Sequence, residues 1–172
     1  CYATSKDGMN WVKPKLNILP GCNIVHLSGQ RDSGSVWMDL ETKDARKKYK
    51  MFIFHRSNWQ SAVYSSPDGI HWSEPTWNGP NWDRSTIFYN PFRKVWVYSL
   101  RAQMYPQPWD YDANPPKPCG RARRYKECKD LFSGAKWKGG APHGITWTNP
   151  GDPVWWTAAD NLDEISPDEE RS

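Results

Sequence analysis

Asp32-Ser33-Gly34-Ser35-Val36-Trp37-Met38-Asp39 returns later in the chain as Asp83-Arg84-Ser85-Thr86-Ile87-Phe88-Tyr89-Asn90. Both copies read D-x-x-[ST]-[VI]-[WF]-x-[DN]. A β-branched residue followed by an aromatic favours an extended strand, and the closing Asp or Asn favours a turn. Each copy therefore predicts one short strand with an acid at its start. The acid is the part that strand formation does not require.

A second repeat flanks the first. Ser5-Lys6-Asp7-Gly8-Met9-Asn10-Trp11-Val12-Lys13-Pro14 and Ser66-Pro67-Asp68-Gly69-Ile70-His71-Trp72-Ser73-Glu74-Pro75 share the pattern S-x-D-G-[MI]-x-W-x-x-P. Asp-Gly makes a tight turn, because Gly accepts positive φ and Asp can bond the backbone ahead of it, while the Trp folds back over the hairpin. Asp7 and Asp68 are thus expected to be satisfied by their own turns, with Trp11 and Trp72 packed between neighbouring sheets. The return from Ser5 to Ser66 suits stacked or radially arranged units rather than one unique core.

Between and after these turns lie short β-rich runs at 35–38, 49–54 and 61–65 with a fourth at Trp72, then at 86–89, 95–100 and 121–126 with a fourth around Trp137. Helical periodicity is weak throughout. Recurring four-stranded antiparallel sheets predict an all-β chain built as a partial β-propeller, with about two complete blades and parts of their neighbours. The expected organisation is the end of one blade over 1–14, a blade over 22–75, a second over 82–137, and an arm over 138–172 leading toward a further blade. The aromatic and proline-rich excursion from Gln103 to Pro118 is long enough to line a cleft.

Length and composition fit one ordinary domain: 172 residues, 37% hydrophobic and 24% charged. The twelve Trp are far above ordinary usage, and Trp serves both packing between sheets and stacking on sugar rings. A net charge of +4 arises from scattered Lys and Arg, without the basic face that nucleic-acid binding needs. Cys1, Cys22, Cys119 and Cys128 lack zinc-site spacing and are too few to staple such a chain. No apolar run is long enough to span a membrane. Phosphate loops, nucleophile elbows and H-E-x-x-H are absent too, which excludes several enzyme classes. No metal or other cofactor, no nucleic acid and no membrane partner is expected.

The serial S-x-D-G-x-x-W turns, the acid-led inner strands and the phrase Arg84-Ser85-Thr86-Ile87-Phe88-Tyr89-Asn90-Pro91 together resemble the five-bladed β-propeller glycoside hydrolases. That group includes arabinanases, xylosidases, invertases and levansucrases, and the resemblance covers about residues 1–165. The turn motif is shared with sialidases and with noncatalytic Asp-box proteins; the acid-led strand is the sharper signal. The resemblance implies a carbohydrate substrate, with Asp32 and Asp83 as funnel acids, one acting as base or nucleophile and the other stabilising the transition state. Arg31-Asp32-Ser33 is similar to the Arg-Asp-Pro element of the invertase branch, with Ser in place of Pro.

Glycoside cleavage needs two carboxyl groups in different protonation states flanking the bond. The alternative for Asp32 and Asp83 is that both are strand-start caps making Asx turns. Asp39 and Asn90, at the strand exits, read as turn residues. Glu127 is the third carboxyl to consider; alternation would set it on one strand face with Arg121, Arg123 and Tyr125, an arrangement suited to an ion pair or substrate contact. His26, Arg31, Trp59, Arg84 and Arg101 are the expected sugar-binding residues. A noncatalytic carbohydrate-binding or protein-interaction propeller is the competing function. A chain that opens on Cys1 and holds only two full blades is expected to be a piece of a longer protein, inactive without its missing blades.

Overall fold

The computed structural model describes residues 1–27, 29, 31–104, 120–139 and 150–158. The chain is all-β; its described residues form three antiparallel sheets and one short helix. The strands are β1 (Thr4–Ser5), β2 (Trp11–Val12), β3 (Arg31–Met38), β4 (Tyr49–His55), β5 (Gln60–Ser66), β6 (Thr76–Pro80), β7 (Thr86–Asn90), β8 (Val95–Met104), β9 (Gly120–Cys128) and β10 (Val154–Ala158). Helix α1 (Leu131–Gly134) follows β9, and a 3-10 turn (Ala45–Lys47) precedes β4. No helix of the described residues is long and apolar enough to cross a membrane.

Strands β1 and β2 form a small hairpin, β3–β6 one four-stranded meander, and β7–β10 a second. In β4 and β5 both faces are apolar. Phe52 pairs with Val63, while Met51 pairs with Tyr64 and Ile53 with Ala62, so successive residues serve opposite faces of one sheet. The Phe52 and Val63 face meets Ile87, Trp96, Tyr98 and Leu100 of the second sheet. On the other face, Met51, Ile53, Ala62 and Tyr64 are covered in part by Trp72. Burying each such side chain contributes about 1.5–3 kcal/mol, so the first sheet is stable only with cover on both sides.

The fourth strands lie further along the chain than the sequence suggests. The first is Thr76–Pro80, because Trp72 belongs to the preceding turn and packs on the Met51 face. The second is Val154–Ala158, so part of the expected arm is the outer strand of the β7–β10 sheet. Trp137 is not in a strand. It is buried between the sheets, 5.3 Å from the Tyr98 ring, and its indole N–H donates to the Pro80 carbonyl at 3.0 Å.

Both Asp-Gly turns form as expected. Asp7 accepts from the Met9 and Asn10 N–H groups, and Asp68 from those of Ile70 and His71, at 2.7–2.9 Å. The Asn10 N–H leads in holding Asp7 below the usual carboxylate range. For Asp68 burial acts the opposite way, and the donors of His71, Ile70 and Ser66 outweigh it. Trp11 departs from expectation: it is 59% exposed, and its indole N–H donates to the Gly8 carbonyl of its own turn. Asp39 and Asn90 each cap the turn that leaves their strand, accepting two backbone N–H groups apiece.

Cys1, Cys22 and Cys128 carry free thiols, and burial is the main cause that pushes the Cys128 thiol up to about 11. Cys119 and most of the Gln103–Pro118 excursion lie outside the described residues.

The approach of β6 to Trp137 sets a prediction. A Cβ on Gly79 would lie 2.2 Å from Trp137 Cδ1 and 2.3 Å from its carbonyl oxygen. Gly79→Ala should therefore overpack the seam and cost about 2–3 kcal/mol in urea unfolding. An unchanged unfolding midpoint would show that Trp137 does not sit against β6.

Candidate functional site

Strand register gathers most of the expected site residues at one end of the sheet pair. Arg31 is opposite His55, and the β4–β5 hairpin that follows carries Trp59. Pro80 lies opposite Gln60 at the same end, and the chain then crosses through Asn81, Trp82, Asp83 and Arg84 into β7. Asn81 is buried and fixes this crossing: its amide oxygen accepts the Ser61 N–H at 2.9 Å, and its amide nitrogen donates to Ser61 Oγ at 2.8 Å. Strands β3 and β7 meet through Ser35, whose hydroxyl lies 3.3 Å from Thr86 Oγ1.

Asp32 sits where β3 departs from regular pairing. Between Arg31 and Gly34 the register against β4 shifts, a bulge that re-aims side chains at a strand end. Gly34 permits the close approach, since a Cβ there would come within 3.1 Å of the Phe52 carbonyl oxygen. The exposed Asp32 then lines a cleft of about 690 Å³ with His26, Arg31, Ser33, Asp68 and Trp72. Three polar atoms on its lining residues, His26 Nδ1, Ser33 Oγ and Trp72 Nε1, are buried without a partner among the described residues.

Asp83 stands at the start of the neighbouring strand but is not among the residues lining that cleft. Its carboxylate forms an ion pair with Arg101, both side chains being less than one-fifth exposed. The Arg101 guanidinium lies 5.5 Å from the Trp82 ring, and Trp82 meets Trp59 edge to face at 5.4 Å. Ser85 completes the corner, donating to the Trp82 carbonyl at 2.7 Å and accepting the Arg101 N–H at 3.1 Å. Trp59 and Arg84 both adopt left-handed backbone, with φ of 54° and 50°. The exposed Arg84 offers its carbonyl to Arg123 at 2.8 Å. Asp83, Trp59 and Arg101 thus form one linked cluster beside the cleft rather than within it.

Glu127 is placed elsewhere. It lies opposite Val97, whereas Arg101, the partner of Asp83, lies opposite Arg123. Four residues of strand separate the two levels, roughly 13 Å at the usual rise. Glu127 faces the β7–β8 hairpin, where Arg93 grips both carboxylate oxygens at 2.7–2.8 Å and the Tyr125 hydroxyl donates at 2.5 Å. Tyr125 shares its face as alternation predicts, but the partnering cation comes from the hairpin, because Arg123 is turned to the Arg84 and Ser99 carbonyls. Glu127 does not join Asp32 and Asp83.

His26 belongs to a cluster that the sequence did not reveal. Its ring lies edge-on to Tyr64 at 4.5 Å, and the Tyr64 hydroxyl is 3.0 Å from Nε2 of the buried His55. Trp77 packs on His55 at 5.0 Å. Burial is the main cause that lowers the His26 pKa, aided by His55 and Arg31, and burial alone lowers that of His55. Burial and then Glu74 push Tyr64 up to about 12. Alternation in β4 and β5 places Met51, Ile53 and His55 on the face shared with Tyr64 and was the available signal. Among the described residues, no group of three or more His, Cys, Asp or Glu could hold a metal ion.

No known family profile, curated protein or solved structure matches the chain. The site's chemistry therefore rests on its own geometry. That geometry comprises an exposed carboxylate in a cleft, an arginine-bound carboxylate beside it, and aromatic surfaces around both.

The two histidines predict a pH response. With folded pKa values below the ordinary value of about 6.5, the unfolded chain binds more protons than the folded one as pH falls through that range. The stability they contribute is present above about pH 6.5 and is lost as pH falls toward their folded values. The urea midpoint should decline from about pH 7 to about pH 5, with a shallower decline in His55→Phe. Equal slopes in the two proteins would remove His55 from this account.

Proposed function

We propose that the chain is part of a β-propeller glycoside hydrolase whose carbohydrate site lies at the end where β3 and β7 begin. The observation that carries the reading is that the two copies of the acid-led motif form the first strands of consecutive four-stranded meanders, side by side and joined through Ser35 and Thr86. The chain passes from the last strand of one sheet to the first strand of the next, the connection that radial blades require. A hydroxyl-rich ligand also suits the cleft, since His26 Nδ1 and Ser33 Oγ have no partner among the described residues and Trp72 offers an apolar surface.

In this reading Asp32 is the reacting carboxylate, exposed to the ligand and placed to attack or to activate water. Asp83, committed to Arg101, supplies fixed negative charge near an oxocarbenium-like centre. Arg31 and His26 bind hydroxyl groups. Trp59 and Arg101 brace the corner rather than stack on sugar, because their rings and charge are engaged with Trp82 and Asp83. The proton donor that such a reaction also needs comes from outside the two sheets, since Glu127 is held by Arg93 at the other end.

One observation favours a noncatalytic carbohydrate-binding module instead: two of the three carboxyls predicted to be catalytic are bound by arginines. An Asp32→Asn variant of the full-length protein separates the readings on arabinoside, xyloside and fructoside substrates. Turnover that falls about a hundredfold or more while sugar affinity is kept supports the hydrolase. Sugar binding without turnover in the unaltered protein supports the binding module. Failure to bind any sugar overturns both.

A further inference from the structure

A second cleft, of about 330 Å³, opens at the opposite end of the sheet pair, where β3 and β7 finish. Four lysines line it: Lys47 from the 3-10 turn, Lys50 from β4, Lys94 from the β7–β8 hairpin and Lys129 after β9. We propose that this cleft is a binding site for a tetrahedral dianion, a phosphate or sulfate group, either free or as an ester.

The inference follows from which charges are already committed. Asp39 and Lys50 form a buried ion pair, 8% and 5% exposed, and the Lys50 amine also donates to the Lys47 carbonyl at 2.8 Å. Asp39 further accepts the Glu41 and Thr42 N–H groups. Asp130 caps α1, accepting the Ser133 N–H at 2.7 Å. Of the acids on the wall, Glu41 and Asp130 keep their charge without an ion pair among the described residues. The cations are differently placed. Lys47 lies 5.2 Å from the Phe132 ring, and Lys94 and Lys129 are exposed, with no ion pair among the described residues.

Lys47, Lys94 and Lys129 come from three separate segments and outnumber the two unpaired carboxylates, so the concavity keeps a surplus of positive charge that an anion would offset. Lys94 holds left-handed backbone, with φ 52°, at the hairpin that presents it. Lysine serves as a point-charge partner for phosphate, and a dianion accepts from several donors at once. Trp96, Tyr89 and Phe132 complete the wall and provide room for one attached ring. Glu41 and Asp130 set a limit on affinity.

The test is a titration of the protein with sodium phosphate and with phenyl phosphate, followed by amide and indole NMR shifts, against sodium chloride at matched ionic strength. Saturable shifts at Lys94, Lys129 and the Trp96 indole are expected with phosphate and not with chloride. A Lys94→Gln, Lys129→Gln double variant should weaken binding by at least about tenfold, or about 1.4 kcal/mol. Both positions are exposed, so its spectrum should otherwise be that of the parent protein. Tighter binding of phenyl phosphate assigns the site to an ester, and equal binding assigns it to the free anion. Shifts that do not saturate, that chloride reproduces, or that survive the double substitution overturn the proposal.

Discussion

The structure depends on one sheet being apolar on both faces. Phe52 and Val63 on one side, and Met51, Ile53, Ala62 and Tyr64 on the other, leave β4 and β5 no solvent-facing surface. Such strands gain stability only when a second layer lies against each face. The β7–β10 sheet is one layer, seated through Ile87, Tyr98 and Leu100. On the other face the first cleft is lined by Met51 and Ile53 and bounded by the amino-terminal segment, including Tyr2, Ala3, Val25 and His26, the last packed on Tyr64. The position of the candidate site is thus a by-product of core burial.

The two ends of the sheet pair differ in how they handle charge. At the acid-led end, Asp32 is open to the cleft while Asp83 is ion-paired with Arg101. At the far end, Asp39 draws Lys50 into the interior, with its amine 5.2 Å from the Trp96 ring. A buried pair of this kind contributes little net stability compared with apolar packing, but losing one partner leaves a buried charge and costs several kcal/mol, about 3–5. The repeat places Asn90 at the position equivalent to Asp39, without the charge and without a lysine. The motif needs a turn cap there, and only the first copy combines it with an ion pair.

Periodicity and turn chemistry made much of this legible. The β-rich runs at 49–54, 61–65 and 95–100 and the β-branched and aromatic pairs in both acid-led stretches correspond to β3, β4, β5, β7 and β8. The Asp-Gly turns formed with the hydrogen bonds their residues require. The fourth strands were misplaced because Trp72 and Trp137 were read as strand residues, whereas each is a wedge whose burial comes from tertiary packing that local pattern does not encode. Trp11 shows the converse: the same turn motif does not bury its indole where no described sheet lies over it. Within the site, sequence identified the acids but not their partners. Arg101 and Arg93 lie far along the chain from where a reader of Asp83 and Glu127 would look, and only strand register brings them together. The His26, Tyr64 and His55 cluster was hidden for the same reason.

The join between the first strands of the two sheets has a mechanical consequence. Strands β3 and β7 share no backbone ladder; they are linked through the Ser35 hydroxyl, which meets Thr86 Oγ1 at 3.3 Å and the Ile87 N–H at 3.5 Å. A ladder would resist separation along its whole length, whereas a side-chain link of this kind amounts to about one ordinary hydrogen bond. The stiffness of the molecule therefore resides within each sheet and in the apolar layer between them, and the line between β3 and β7 is compliant. The spacing of Asp32 from Asp83 is set across that line. It can adjust by small rotations of one sheet against the other without breaking a strand pairing.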